Sequence, residues 1–178
     1  MRIIAGIAKG RTIRTPREGT RPMTGRARES IFSILANRLP DARVLDLFAG
    51  SGSLGLEALS RGADSAVFVE SSRRAVTILE SNIEAVGLGG TVIRATAAQA
   101  LASMADEFDI IFLDPPYADD DRSVESVLGS LAPLTAVGGI VVVHRQARSM
   151  FDVPDFLTCT DQRRYGDAVV TMMERIEA

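Results

Sequence analysis

Apolar and polar positions follow two periods along most of this chain. From residue 43 onward, short apolar runs alternate with longer stretches in which apolar residues recur every three or four positions. The short runs predict buried strands, and the longer stretches predict helices that pack against them. This alternation is typical of an α/β protein in which helices cover both faces of a parallel sheet. The predicted strands are RVLDLF, SAVFVE, TVIRA, FDIIFLD and GGIVVVHR.

The pattern changes after Met150. Two apolar segments, DFLTCT and DAVVTMME, are separated only by DQRRYG, which predicts a turn. Because so short a connection joins antiparallel strands, this pair adds an antiparallel edge to the sheet. The complete prediction is a doubly wound, seven-stranded mixed sheet of the Rossmann-like type. The chain has 178 residues, of which 46% are hydrophobic, and this predicts one globular unit.

Charge separates the first forty residues from the rest. They carry nine Arg or Lys against two Glu, a charge of +7, which leaves −10 for residues 41–178 at a net charge of −3. MRIIAGIAKGRTIRTP predicts a basic β-hairpin, and TGRARESIFSILANRLP predicts a helix capped by Thr24. We interpret residues 1–40 as a basic extension of a domain spanning 41–178. Such an extension favours a polyanionic partner, the alternative being an ordinary solvated surface.

Composition limits the kinds of functional site and the cellular locations that we expect. The chain contains no apolar run of about 18 residues, and its first residues lack the uninterrupted apolar core of a signal peptide. We therefore expect a cytoplasmic protein without a membrane contact, and its compactness predicts a monomer. One cysteine, Cys159, and one histidine, His144, argue against disulfides and against a metal site. We expect Cys159 to be a small buried residue and His144 to be structural.

The segment DLFAGSGSLG predicts a ligand-binding turn. The spacing of Gly50, Gly52 and Gly55 matches the dinucleotide fingerprint, which fits NAD and S-adenosylmethionine alike. Glu70 follows Asp46 by 24 positions, near the spacing at which an acid binds a ribose. A carboxylate at Asp46 would repel a pyrophosphate but attract a cationic sulfonium, so it favours S-adenosylmethionine. Alternatively, Asp46 caps the loop and Glu70 caps the next helix.

The segment FDIIFLDPPYAD predicts a site for an amine acceptor. Asp114 ends a buried strand, and the two prolines after it stiffen the backbone. The Asp114 carboxylate and the Pro115 carbonyl could accept both N–H bonds of an exocyclic amine and direct its lone pair at a methyl group. Tyr117 offers a ring on which a flipped base can stack. Alternatively, this segment is a rigid turn in which Tyr117 fills the core.

Longer segments carry a family resemblance. MRIIAGIAKGRTI, RPMTGRARESIFSIL, VLDLFAGSGSLGLEALSRGA, VFVE, FDIIFLDPPY and RRYGDAVVTM resemble the bacterial small-subunit ribosomal RNA guanine-N2 methyltransferases, the RsmD family. The resemblance covers essentially the whole chain. It implies a class I methyltransferase fold and the use of S-adenosylmethionine to form N2-methylguanosine in 16S ribosomal RNA. The implied partner is the small subunit or its assembly intermediate.

The resemblance also implies roles for single residues. After the third strand, such enzymes often carry an acidic or polar residue near the adenine. RATAAQAL has no acid there, and Thr96 and Ala97 could contact the ring through backbone or hydroxyl groups. Thr24 could equally be a plain N-cap, and Arg163, Arg164 and Tyr165 a second RNA contact or a bare hairpin tip. The implied cofactor-binding residues are Asp46, Phe48, Ala49, Gly50, Gly52, Glu70, Thr96 and Ala97. The implied catalytic residues are Asp114, Pro115, Pro116 and Tyr117, and the implied RNA-binding residues are Arg11, Arg21, Thr24, Arg26 and Arg28.

Three other functions stay open on sequence grounds. Asp-Pro-Pro-Tyr selects an amine more than a particular base, so methylation of adenine N6 in DNA or RNA is one alternative. A ribosome-assembly factor that keeps the fold without turnover is the second. An oxidoreductase that binds a nicotinamide cofactor at the glycine loop is the third.

Overall fold

The computed structural model describes residues 1–15 and 23–177. Within them, seven strands form one mixed sheet in the order β3-β2-β1-β4-β5-β7-β6, which confirms the predicted architecture. The strands are β1 (Arg43–Leu47), β2 (Ser65–Val69), β3 (Thr91–Ile93), β4 (Phe108–Leu113), β5 (Thr135–Gln146), β6 (Leu157–Tyr165) and β7 (Ala168–Arg175). The helices are α1 (Gly25–Ile34), α2 (Ser53–Ser60), α3 (Arg73–Val86), α4 (Ala97–Leu101) and α5 (Asp121–Gly129), with a 3-10 turn at Ala132–Leu134.

The strand pairing places a topological switch point in the middle of the sheet. Strand β1 pairs in parallel with both β2 and β4, and β4 pairs in parallel with β5. The chain leaves β1 in one direction along the sheet and returns to its other side at β4. Ligands of doubly wound sheets bind at the carboxyl ends of the strands at such a point. The end of β1 and the end of β4 therefore define the expected site.

Two hydrophobic layers cover the sheet. One lies under α1, α2 and the N-terminal residues, and it includes the buried side chains of Ile3, Ile31, Phe68 and Phe112. The other lies under α4 and α5 and includes Leu113. The described helices include none long and apolar enough to cross a membrane.

The N-terminal residues form a short hairpin around an antiparallel bridge between Arg2 and Thr12. Ile13 N donates to the Met1 carbonyl at 2.9 Å, and Ile3 N donates to the Arg11 carbonyl at 3.0 Å. The pairing is shorter than the predicted strands because α2 also binds this segment: the fully buried Glu57 accepts hydrogen bonds from the next two amides, Ile4 N at 2.7 Å and Ala5 N at 3.0 Å. Because these donors bond to a carboxylate, they are not available for a strand ladder.

The C-terminal strand pair is longer than predicted. Strand β6 continues through DQRRY to Tyr165, which pairs with Ala168, so the prediction of a six-residue turn is wrong. A two-residue connection suffices because Gly166 adopts φ 62°, a left-handed conformation that suits tight hairpins. Cys159 is exposed, contrary to the prediction, because β6 is the edge strand of the sheet and exposes one of its faces.

Candidate active site

Three acidic residues meet at the carboxyl edge of the sheet. Asp46 lies at the end of β1, and Glu70 and Asp114 directly follow β2 and β4. The pKa of Asp46 is raised to about 8, mainly by burial and in part by the negative charges of Asp114 and Glu70, while a hydrogen bond from Gly55 N opposes the shift. Asp114 and Glu70 thus act electrostatically on Asp46. A cation bound among them would be stabilised, and it would lower the pKa of Asp46.

The loop between β1 and α2 has an unusual backbone. Phe48 adopts φ 62° although it has a side chain, and Gly50 and Gly52 adopt φ 54° and 76°. A Cβ atom on Gly52 would lie 2.4 Å from Leu79 Cδ1, whereas one on Gly50 would meet nothing closer than 4.0 Å. Close packing therefore requires glycine at position 52. At Gly50 the loop is open, so a ligand can approach its backbone.

Asp46 turns its carboxylate toward the helix that follows the loop. Its side chain is 1% exposed, and Oδ2 accepts a hydrogen bond from Gly55 N in the first turn of α2 at 2.9 Å. This contact corresponds to the capping alternative raised from the sequence. A charge effect on a ligand does not require direct contact, so a role of Asp46 in cofactor binding stays a prediction.

The side chain of Glu70 accepts hydrogen bonds from backbone amides in two loops. Its Oε2 accepts from Gly50 N at 2.9 Å, and its Oε1 accepts from Ser72 N at 2.8 Å. The carboxylate is half-buried and ties the glycine loop to the turn before α3. Both the capping and the ribose-binding interpretation predicted a carboxylate at this place, and ribose binding by Glu70 stays a prediction.

The residues expected near an adenine lie at the start of α4. Thr96 is the exposed N-cap of this helix, and its Oγ1 accepts from Gln99 N at 3.3 Å. Ala97 is buried at 6% exposure. The Thr96 hydroxyl also donates to Gln99 Oε1, so its hydrogen-bonding capacity is largely used within the helix cap. Backbone groups are then the remaining means of contact with a ring.

Asp114 opens the acceptor loop, which we define as residues 114–120 between β4 and α5. Its side chain is 31% exposed, and Oδ1 lies 2.7 Å from Nδ1 of His144. Pro115 is buried, Pro116 is exposed, and Tyr117 lies between these extremes with its ring centroid 6.0 Å from that of His144. Sequence reasoning assigned His144 a structural role, whereas the structure brings its imidazole into contact with the central carboxylate of the site.

Arg145 holds the far end of the acceptor loop and was missed by the sequence analysis. The residue is 4% exposed, and its guanidinium donates to the carbonyls of Pro116 at 3.0 Å and Asp119 at 2.6 Å. It also lies 3.4 Å from Asp121 Oδ1 at the start of α5. The available signal was the polar pair His144 and Arg145 after the apolar run IVVV, at the carboxyl end of a strand beside β4.

An open cleft of about 1180 Å³ lies beside the acceptor loop. It is bounded by the start of α1, the end of β5 and the hairpin between β6 and β7. Three arginines and two tyrosines give it positive charge and aromatic surface, which suits an anionic polymer carrying flat bases. The lining residues are Thr24, Arg26, Tyr117, His144, Gln146, Ala147, Arg148, Arg164, Tyr165, Gly166, Asp167 and Ala168.

The residues predicted to bind RNA have different surroundings. Thr24 and Arg26 are exposed and line the cleft, and Thr24 also caps α1 by accepting from Ala27 N at 3.2 Å. Arg11 is exposed but donates to the Val86 carbonyl at the end of α3. Arg21 lies outside the described residues.

Arg28 corrects the prediction of an RNA contact. It is 4% exposed and its Nη2 donates to the Arg2 carbonyl at 2.5 Å, so its guanidinium lies inside the protein. Burial lowers its pKa, and the nearby Glu57 partly opposes this effect. Arg28 follows Arg26 by two positions, and a helix turns by about 200° over that distance, so the two side chains take opposite faces.

The carboxyl edge fits S-adenosylmethionine better than a dinucleotide. The open backbone at Gly50, where a ligand can approach, donates a hydrogen bond to Glu70. The charges of Glu70 and Asp114 also act on the nearby Asp46. This acidic surrounding disfavours a pyrophosphate and favours a sulfonium and an ammonium group. Asp114 is part-exposed and contacts His144, which lines the cleft.

Comparison with known proteins relates the whole chain to one family. The family model described as conserved hypothetical protein 95 matches residues 1–174. The protein YlbH of Bacillus subtilis (strain 168) is 35% identical over 173 residues, which cover 93% of this chain and 94% of YlbH. Ribosomal RNA small subunit methyltransferase D of Escherichia coli (strain K12) is 42% identical over 119 residues, covering 66% of this chain and 60% of that protein.

A solved structure shows the same fold over the full length. The structure of yhhF from Escherichia coli, a protein assigned as a methyltransferase, superposes on this chain with a TM-score of 0.90 at 32% identity. The match covers 100% of this chain and 99% of yhhF. Because the superposition covers the whole chain, it includes all seven strands of the sheet. The chain therefore belongs to the conserved hypothetical protein 95 family, the RsmD family of methyltransferases, and has the class I methyltransferase fold.

Proposed function

We propose that this protein transfers a methyl group from S-adenosylmethionine to the exocyclic N2 of a guanine in 16S ribosomal RNA. The observation that carries the proposal is the position of Asp114, a part-exposed carboxylate beside a basic, aromatic cleft and in electrostatic reach of Asp46. The relative named ribosomal RNA small subunit methyltransferase D supports ribosomal RNA as the substrate class. The resemblance seen in the sequence supports guanine N2 as the acceptor.

In the proposed complex, the cofactor occupies the glycine loop. The backbone of Phe48, Ala49, Gly50 and Gly52 would hold it, with Glu70 at the ribose and Asp46 favouring its positive charge. The bound cofactor supplies an electrophilic methyl group on a sulfonium. Because the carboxyl groups are already folded into place by hydrogen bonds to backbone amides, little reorganisation accompanies binding.

The acceptor amine would bind at the start of the acceptor loop. One N–H bond points to the Asp114 carboxylate and the other to the Pro115 carbonyl, which reduces the conjugation of the nitrogen lone pair with the base. The nitrogen then forms a bond to the methyl carbon as the carbon–sulfur bond breaks. The released proton goes from the nitrogen to the free oxygen of Asp114 and from there to water. Tyr117 supplies a stacking surface for the base.

The cleft would receive the RNA strand around the target nucleotide. Arg26 on one wall and Arg164 on the other are exposed and can contact phosphates. Residues 1–40 contribute one of these walls, in agreement with their net positive charge. In this proposal the protein acts as a monomer on the small subunit or its assembly intermediate, in the cytoplasm where subunits are made.

Labelled methyl transfer tests this function. Small ribosomal subunits from cells lacking the protein are incubated with it and labelled S-adenosylmethionine, and the RNA is digested for mass spectrometry of nucleosides. The proposal expects label in N2-methylguanosine. Label in N6-methyladenosine would contradict the proposed base, and no label despite measured cofactor binding would contradict the proposed substrate. Absence of cofactor binding would favour an assembly factor without turnover.

A further inference from the structure

His144 occupies a position that the proposed reaction leaves without a role. Its side chain is 3% exposed, although it is the single histidine of the chain and lies at the carboxyl end of β5. Leu113 pairs with Val143, so the next residues along these parallel strands, Asp114 and His144, are neighbours on the same face of the sheet. The short 2.7 Å contact between Nδ1 and Oδ1 follows from this register.

We propose that His144 is a positioning residue that fixes the Asp114 carboxylate by donating Nδ1–H to Oδ1; this inference rests on the proposed function. The donated hydrogen bond engages one carboxylate oxygen and leaves the other for the acceptor amine. It also fixes the rotation of the carboxylate about its last bond, which is otherwise broad. The angle between the amine lone pair and the methyl group depends on that rotation.

The hydrogen bond determines the tautomer of the imidazole. A neutral imidazole has one N–H, and a carboxylate can only accept, so Nδ1 must carry the proton. Free histidine favours the opposite tautomer. The titratable and charged side chains that share the site or the cleft with His144 are Asp114, Tyr117, Arg26, Arg148, Arg164, Tyr165 and Asp167.

The same imidazole also lies beside Tyr117. The two ring planes make an angle of 43° with their centroids 6.0 Å apart, a tilted arrangement typical of packed aromatic pairs. His144 therefore contacts the side chain proposed to accept the amine proton and packs near the ring proposed to stack on the base. Loss of the imidazole should reduce turnover more than it reduces RNA affinity, because phosphate contacts lie elsewhere in the cleft.

Substitutions that retain one nitrogen at a time test the role kinetically. The Asn side chain places its amide nitrogen at the position of Nδ1, and the Gln side chain places it near Nε2. We expect His144→Asn to keep kcat within about 3-fold of the wild type, and His144→Gln and His144→Ala to lower kcat by about 10- to 100-fold with KM for RNA nearly unchanged. Equal losses in His144→Asn and His144→Ala would overturn the proposed hydrogen bond.

Nuclear magnetic resonance tests the same contact without any activity. Since the chain has one histidine, its imidazole nitrogens give a single set of signals, read at a pH where the ring is neutral. We expect the Nδ1–H tautomer in the wild type and a change toward Nε2–H in Asp114→Ala. Asp109→Ala, a change at the other end of β4, is the matched control and should leave the signals unchanged.

The two readouts separate failure of this inference from failure of the proposed function. An Nε2–H tautomer in the wild type overturns the role of His144 whether or not methyl transfer is detected. The Nδ1–H tautomer in a protein without activity on small subunits supports the contact and overturns the substrate. Wild-type kcat in His144→Ala overturns the positioning role even if the tautomer is as expected.

Discussion

The two loops that meet at the carboxyl edge are held in place in different ways. The loop after β1 is fixed from within its own motif: Gly50 N bonds to Glu70, and Gly55 N bonds to Asp46. The acceptor loop after β4 is held by two residues of β5. His144 contacts the start of the loop, and the buried Arg145 donates to carbonyls at its far end. The first arrangement requires special backbone conformations, and the second requires two side chains of β5.

This difference explains why one loop is easier to identify than the other. Left-handed backbone at Gly50 and Gly52 restricts the residue type, so the requirement is visible as a short spacing in the sequence. A guanidinium donating to carbonyls places no restriction on the residues that supply those carbonyls. The support of the acceptor loop is therefore encoded 26 to 30 positions away, where the sequence marks it only by a polar pair after the apolar run of β5.

Removing the Asp114 carboxylate should have the largest effect on the acceptor loop. Asp114→Ala deletes the proposed acceptor of the amine proton, and we expect kcat to fall by about 100-fold or more. Methyl transfer and cofactor affinity are both measured. Cofactor affinity should change little, so a fall in methyl transfer reports on turnover. Asp109→Ala on the same strand, whose carboxylate bonds to Arg43 N at the surface, is the control. Near-normal turnover of Asp114→Ala would remove this residue from the mechanism.

Loosening the far end of the acceptor loop should have a smaller effect. Arg145→Met keeps the buried stem but removes the donors to the carbonyls of Pro116 and Asp119, and we expect kcat to fall by about 10-fold. Global stability should change by only about 1 kcal/mol, because burial of the guanidinium itself costs free energy. One buried atom of that group, Arg145 Nε, also has no partner among the described residues.

Hydrogen exchange at Asp119 measures this loosening directly. Its amide donates to the Pro116 carbonyl at 3.0 Å inside the loop and should exchange faster in Arg145→Met. Arg122→Met, an exposed arginine in α5 next to the loop, is the matched control. Unchanged exchange in Arg145→Met would show that the loop keeps its structure without the guanidinium.

Removing charge from the cleft should weaken RNA binding without affecting the cofactor. The double variant Arg26→Ala with Arg164→Ala deletes two cations proposed to bind phosphates, which should reduce the slope of log affinity against log salt by about 1.4. Arg38→Ala with Arg43→Ala removes the same charge from residues that pair with Glu174 and Asp109, away from the cleft. A slope that is equal in both double variants would contradict the proposed RNA surface.

Replacing Asp46, at the start of the loop after β1, should change how the stability of the protein depends on pH. The folded-state pKa of about 8 lies above the ordinary value of 3.8, so the folded protein loses stability as pH rises between these values. Asp46→Asn cannot ionise and keeps an oxygen for Gly55 N. We expect its melting temperature relative to the wild type to rise by about 5 °C between pH 5.5 and 8.5.

The exposed Asp109→Asn variant is the control for this measurement, since its side chain is 40% exposed and should give a flat difference. A flat difference for Asp46→Asn as well would mean that Asp46 does not carry the penalty of a buried charge. Addition of S-adenosylmethionine should reduce the difference, because a cation near Asp46 favours the ionised carboxylate.

The sequence by itself determined the sheet, the glycine loop and the residues at the strand ends. Apolar periodicity predicts strands and helices because burial follows that period, and Thr24 caps α1 as its side chain and position predict. The carboxyl ends of parallel strands meet at one edge, so Asp46, Glu70 and Asp114 could be grouped from the strand pattern alone. These features depend on local conformation and on the direction of the strands.

The tertiary structure alone decided which polar side chains are buried and what they contact. Arg28 lies inside the protein while Arg26 lines the cleft, although both are arginines and belong to the same helix. His144 contacts Asp114 because the register of β5 against β4 makes them neighbours. Burial of a charged group depends on partners that are far apart in the chain, and the free energy of those contacts arises only once the sheet has brought them together.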